Sequence, residues 1–242
     1  VLARSHQVYA PNWPGYGESR PVIRPYTVEA LVPVLDRLMD AWGVERASLV
    51  GISMGGGASL AYALAHPERV DRLVLVDSYG LASRAPYHLL SFLFLQVPQW
   101  ISWTWAVLRR SRRLARLSLA AIFADLDHAT PELVEEVYAA IRRPDSGRAF
   151  YAFQRDEVLW NGLASVYMDR LPELRCPVLF IQGEKDSLVP MEDVRMAVAR
   201  VPGARLLILP DCGHWPQREQ PQAFNRSVAA FLGGAGRPDS ET

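Results

Sequence analysis

Cysteine and lysine are almost absent from this chain, and neither sign of charge is in excess. Two cysteines in 242 residues, Cys176 and Cys212, exclude a disulfide framework and a cysteine-rich zinc centre. The 26 basic and 26 acidic side chains cancel, so the strong basic excess of a nucleic-acid binder is missing and no nucleic-acid partner is expected. Lys185 is the sole lysine, a bias that points to a GC-rich, bacterial-type coding sequence and to no function. No charged leader followed by an apolar stretch opens the chain, so a cytoplasmic location is expected. What is present is a half-hydrophobic, 21% charged chain, long enough for one domain with a large insertion or two small domains.

Short apolar runs alternate with helical spacing. Gln7 to Ala10, Ala47 to Gly51, Leu73 to Val76, Pro177 to Gln182 and Arg205 to Leu209 read as strands, with Ala47 to Gly51 expected to be buried. Val28 to Trp42 (N-capped by Thr27), Met54 to Ala65, Met191 to Val201 and Pro221 to Leu232 read as helices. This rhythm predicts an α/β fold, with a mostly parallel sheet covered by helices on both faces. Residues 79–170 break it: they are helix-like, with no convincing strand. The expected layout is a core of 1–78 and 171–233, an insertion at 79–170 and a disordered tail at 234–242. Within the insertion, Tyr87 to Leu108 carries no Asp, Glu, Lys or Arg and is followed by five arginines between 109 and 116. Pro98 splits that run and its tryptophans sit mid-segment, so two apolar helices are expected there. A membrane-surface contact is the lesser alternative and a span the least favoured.

Gly51-Ile52-Ser53-Met54-Gly55 matches G-x-S-x-G, a pattern that chance alone would supply about 0.07 times in such a chain at average Gly and Ser usage. An apolar strand leads in and a small-residue helix leads out, the setting in which a sharp turn lifts the serine hydroxyl clear of the sheet. A serine needs a base, and the base an orienting carboxylate. Among five histidines, His214 alone lies just beyond a strand end, in Asp211-Cys212-Gly213-His214. Asp186, in the loop after the strand at Pro177 to Gln182, is the preferred carboxylate. Asp77, at the end of another strand, is the runner-up. Cys176 and Cys212 would lie roughly 20 Å apart, at opposite ends of the sheet, and form no disulfide.

Pro14-Gly15-Tyr16-Gly17-Glu18-Ser19, Gly51-Ile52-Ser53-Met54-Gly55-Gly56, Gly183-Glu184-Lys185-Asp186 and Gly213-His214 together resemble the α/β-hydrolase superfamily. The resemblance implies an α/β-hydrolase fold with Ser53 as nucleophile, His214 as base, Asp186 as its orienter and the backbone N–H of Met54 as an oxyanion donor. It also implies that 79–170 is a helical cap, and that neither cofactor nor metal is needed. Serine at this position departs from the aspartate of haloalkane dehalogenases and epoxide hydrolases. The family's earliest strands, and the His-Gly-rich loop that donates a second oxyanion N–H, have no counterpart here. The expectation is therefore a sequence clipped at its N-terminus, or a sheet that closes the gap by pairing Gln7 to Ala10 with the strand before Ser53.

The apolar insertion favours a small hydrophobic ester or acyl substrate. The expected reaction is ester hydrolysis through an acyl-enzyme. Carbon–carbon hydrolysis of a ring-fission product by the same triad is the enzymatic alternative, and a ligand-binding remnant without activity is the alternative from another class.

Overall fold

A computed structural model describes residues 1–20 and 23–234. The tail expected to be disordered lies outside them apart from Gly234. In chain order the elements are α1 (Val28–Ala41), β1 (Ala47–Ile52), α2 (Met54–Ala65), β2 (Val70–Val76), α3 (His88–Leu95), α4 (Pro98–Leu108), α5 (Arg112–Ser118), α6 (Pro131–Arg142), α7 (Arg148–Glu157), β3 (Val158–Leu159), β4 (Gly162–Leu163), β5 (Val178–Gly183), α8 (Met191–Arg200), β6 (Arg205–Leu209), α9 (Pro216–Glu219) and α10 (Pro221–Leu232).

The main sheet is parallel, in the order β1-β2-β5-β6. Alternation along its strands divides the core. Leu73, Leu75, Val178 and Phe180 join a cluster with Val28, Leu31 and Leu35 of α1, Leu60 and Leu64 of α2, and Val194 and Ala197 of α8. Val74, Val76, Leu179 and Ile181 face the other way, onto Val228 and Phe231 of α10. The α1 start follows its sequence signal, with Thr27 accepting a hydrogen bond from the Ala30 N–H. Helix α2 has no polar face because it is buried from Gly56 to Leu64 between α1 and the sheet.

Three expectations are corrected. Gln7 to Ala10 is not a strand, because a strand exists through its backbone partners and this segment has none among the described residues. Its Tyr9 instead stacks on Trp42, with ring centroids 4.6 Å apart. The second concerns β1, which among the described residues pairs with β2 alone, so the gap is not closed by direct pairing. Ser48 and Val50 of β1 are exposed, so this strand is a half-covered edge and not a fully buried one. Third, the insertion does contain strand: β3 and β4 form a two-residue antiparallel ladder.

The insertion is tied to the core by a buried carboxylate. Glu157 accepts hydrogen bonds from the N–H groups of Val28 (2.7 Å) and Ser165 (3.0 Å), from the Ser165 hydroxyl (2.7 Å) and from Tyr79 Oη (3.2 Å). Burial pushes its acid strength down, and these donors oppose the shift. Glu157→Ala would strand several buried donors, each costing about 1–3 kcal/mol. Chemical denaturation should therefore show a loss of about 3 kcal/mol or more, and a loss below about 1 kcal/mol would mean that water satisfies these groups instead.

Candidate active site

Parallel strands place all their carboxyl ends at one edge, and the loops that leave this edge carry the polar cluster. Ile52 pairs in register with Val76, and Val76 with Ile181. Ser53 and Asp77 thus leave neighbouring strands side by side. Asp186 follows β5 and His214 follows β6 by short loops.

Ser53 sits on the turn between β1 and α2 with φ 50° and ψ −121°. A non-glycine residue there carries about 1–3 kcal/mol of strain. Three backbone hydrogen bonds hold it: Ser53 N–H to the Val76 carbonyl at 2.9 Å, and the N–H groups of Tyr79 and Gly57 to the Ser53 carbonyl, both at 3.0 Å. The turn needs its glycines. A Cβ on Gly51 would overlap the Gly55 carbonyl, and one on Gly56 would meet Ser78 Oγ at 2.5 Å. The Met54 N–H lies in the first turn of α2 and has no backbone acceptor among the described residues. It is free to bind developing negative charge.

His214 and Asp186 form a buried pair, with Nδ1 2.8 Å from Oδ2. The Asp186 side chain is fully buried and that of His214 nearly so. Asp186 Oδ1 accepts the N–H groups of Leu188 (2.7 Å) and Val189 (3.3 Å). Asp186 therefore reaches His214 through Oδ2 while its other oxygen is fixed by its own loop. With Nδ1–H donating, His214 Nε2 is left as the basic nitrogen. Among the described residues the Ser53 hydroxyl makes no hydrogen bond with it.

The structure brings all four expected site residues to one edge, and it brings Asp77 with them. Asp77, Asp186 and His214 present ligand atoms within 4.8 Å of one another. These are three donors of metal-binding type, but His214 Nδ1 is already engaged by Asp186 and Asp77 Oδ1 by the Gly183 N–H at 2.9 Å. Within the set, His214 and Asp186 are hydrogen-bonded to each other, while Asp77 is held by the β5 end. Burial, then the neighbouring Asp186 charge, pushes the Asp77 carboxyl up to about 9. The shift favours the neutral acid at pH 7, and Oδ2 has no hydrogen-bond partner among the described residues. It is Asp186, not Asp77, that holds the hydrogen bond to His214 Nδ1.

Glu219 is the residue that sequence reasoning missed. It is buried in α9, where it accepts the N–H of Gly213 (2.9 Å) through one oxygen and that of Ala124 (2.9 Å) through the other. With the His214 N–H donating to the Ile122 carbonyl at 2.7 Å, it pins the histidine loop to the insertion. Its only signal is an acid three residues into the short helix after Pro216. Lys185 pairs with Asp211 at 2.6 Å and joins the two loops from the solvent side. Cys212 is no rival nucleophile, since burial pushes its thiol up to about 12. Of the other histidines, His88 is satisfied by the Leu159 carbonyl at 2.6 Å, and His128 stands 3.7 Å from Glu219. A cavity of about 560 Å³ lies between the Gly15–Gly17 turn, Val137, Ile141, Trp105, Phe150 and Trp215. It reaches the residue after His214, while Ser53 does not line it.

The alpha/beta hydrolase fold family model matches residues 1–221. The chain belongs to the α/β-hydrolase family. It is 33% identical over 238 residues to the 2-hydroxymuconate semialdehyde hydrolase of a Pseudomonas species, covering 97% of this chain and 79% of that protein. It is 31% identical to the 2-hydroxy-6-oxo-6-phenylhexa-2,4-dienoate hydrolase of Burkholderia cepacia, over 96% of this chain and 78% of that one. Among solved structures, the meta-cleavage product hydrolase of Pseudomonas fluorescens superposes with a TM-score of 0.78 at 28% identity, over 97% of this chain and 82% of that one. A thermophilic esterase from Thermogutta terrifontis gives 0.70 at 25% identity, over 90% and 77%.

For this hydrolase the buried acid beside Asp186 has a thermodynamic consequence. Folded Asp77 keeps its proton to about pH 9, whereas the unfolded chain releases it near the ordinary value of 3.8. Between these values the folded state binds the extra proton, so raising the pH favours unfolding. The contribution is full below 3.8 and is lost as pH rises through about 9. Asp77→Asn keeps shape and a donor but cannot ionise. The melting temperature of the natural chain should fall more steeply across this window than that of the variant. Parallel profiles would show that Asp77 is ionised in the fold.

Proposed function

We propose that this chain is a serine hydrolase that cleaves a carbon–carbon bond in small hydrophobic ring-fission products. The observation that carries the choice is the run of relatives at 31–33% identity, both named as hydrolases of conjugated 6-oxo acids or semialdehydes of that kind. Ser53, His214 and Asp186 are the proposed catalytic residues, with no cofactor or metal.

The steps balance on these side chains alone. Ser53 Oγ bonds to the substrate carbonyl carbon as its proton passes to His214 Nε2. The charge that forms on the carbonyl oxygen meets the Met54 N–H at the α2 N-terminus. Asp186 stabilises the imidazolium and fixes its tautomer. The dienol substrate must first move its 2-hydroxyl proton to C5; the C5–C6 bond of this keto form then breaks, its electron pair is delocalised onto the 2-oxo group as a dienolate, and that fragment takes the proton from His214. Water, deprotonated by His214, releases the acyl group as a carboxylic acid and restores Ser53. Residues 79–170 serve as the cap in this reading. Their α6 and α7 bring Val137, Ile141 and Phe150 to the cavity beside Trp215, apolar walls that would suit the part of a substrate remote from the carbonyl at Ser53.

Ester hydrolysis is the second reading, supported by the likeness to the Thermogutta esterase. The two share every step except the atom that leaves. The purified chain should be given a 2-hydroxy-6-oxohexadienoate and p-nitrophenyl butyrate side by side. The expected result is a kcat/KM at least about tenfold higher for the dienoate, with Ser53→Ala lowering both by about 10⁴ or more. The reverse ranking would restore the ester reading, and unchanged turnover in Ser53→Ala would remove Ser53 from the mechanism.

A further inference from the structure

Helices α3 and α4 leave their apolar side chains in water. In α3 only His88 and Leu95 are buried, and α4 buries none of its residues. Leu89, Leu90 and Leu93 are 65%, 68% and 60% exposed, and Trp103 is 64% exposed. Tyr87, Phe94, Trp100 and Val107 are exposed as well. Phe94 and Trp100 touch, with ring centroids 5.6 Å apart, and so make the two helix faces one continuous surface. A monomer in water rarely leaves so many large apolar groups together.

The charge around this surface has one sign. Residues 79–124 contain six arginines and no Asp or Glu, in a chain whose total charge is zero. Three arginines are engaged by the fold: Arg109 with the Ile141 carbonyl, Arg112 with Glu135, and Arg116 with Asp127. Arg84, just before α3, and Arg110 and Arg113, just after α4, are exposed and have no ion pair among the described residues. Exposed arginines without an ion pair among the described residues thus flank the apolar helices on both sides in sequence.

Leucine and tryptophan flanked by unpaired arginine is the composition of a helix that lies in a lipid headgroup layer. No helix among the described residues is long and apolar enough to cross a membrane, and α3 and α4 have 8 and 11 residues. Contact in the plane is what these lengths permit. We propose that the α3–α4 face docks reversibly on an anionic lipid surface, with Leu89, Leu90, Leu93 and Trp103 entering the headgroup–acyl boundary and Arg84, Arg110 and Arg113 meeting lipid phosphates. Charge complementarity favours a lipid over a second copy of the chain, which would bring its own unpaired arginines against these.

The test is co-sedimentation of the 242-residue chain with phosphatidylcholine vesicles, with and without 30% phosphatidylglycerol. Binding is expected to the anionic vesicles and to weaken with salt, as screening predicts. Each arginine at such a surface is worth about fivefold in partitioning. The double variant R110S/R113S should therefore bind about 25-fold less tightly, and L93S/W103S at least about tenfold less. Both variants alter only exposed side chains, so circular dichroism and turnover of a water-soluble substrate should stay unchanged. Equal binding of both variants and the natural chain would overturn the proposal, as would failure of the natural chain to bind either vesicle. Sedimentation velocity supplies the remaining outcome: a dimer abolished by L93S/W103S, with no vesicle binding, would give the face to a second copy and overturn the lipid assignment.

Discussion

His214 and Asp186 come from loops that leave different strands, and the 2.8 Å contact between them spans the top of β5 and β6. Most of the polar structure at this edge serves to hold that contact. Gly183 ends β5 where a side chain would overlap the Gly213 carbonyl, so the two loops can cross closely. The N–H groups of Leu188 and Val189 fix Asp186, Glu219 fixes Gly213, and Lys185 ties its loop to Asp211. A histidine held this way has one free ring nitrogen with a set direction, which is what general-base chemistry requires.

Holding that pair dry carries a cost that appears in its neighbours. Asp77 cannot ionise beside Asp186 without placing two charges in one buried site, so it keeps its proton. Ser53, Asp77 and Asp211 all adopt positive φ, at 50°, 40° and 52°. Strained backbone thus collects at the sheet edge where the polar side chains meet. The insertion contributes to the same edge: the Ile122 carbonyl accepts the His214 N–H, the Ala124 N–H donates to Glu219, and Phe123 packs against Trp215. Insertion and candidate site are in this sense one structure, coupled through Glu219.

The local signals were legible in the sequence and the long-range ones were not. Ser53 announces itself because strand, paired glycines and small-residue helix are contiguous. Helices α1, α2, α8 and α10 follow from spacing, caps and prolines close to hand. His214 and Asp186 follow from their position after apolar runs. Whether Gln7 to Ala10 forms a strand depends instead on a neighbour, which no local pattern encodes. The same holds for β1, whose apolar run reads as buried although one side of it meets solvent. Glu219 looks like any helix-terminal acid until the fold brings Gly213 and Ala124 to it. The α3–α4 segment reads as two apolar helices, but not whether they are covered, because exposure is a property of what packs on a helix and not of the helix itself.

The claim on which the account rests is that Ser53, His214 and Asp186 act as one hydrolytic unit. Peptide mapping after reaction with a fluorophosphonate measures this most directly, because the reagent needs an activated serine but no knowledge of the substrate. A single adduct on Ser53 is expected, formed about a hundredfold more slowly in His214→Gln, the loss that follows when a general base is removed. An adduct on another residue, or labelling of Ser53 at an unchanged rate without His214, would contradict it.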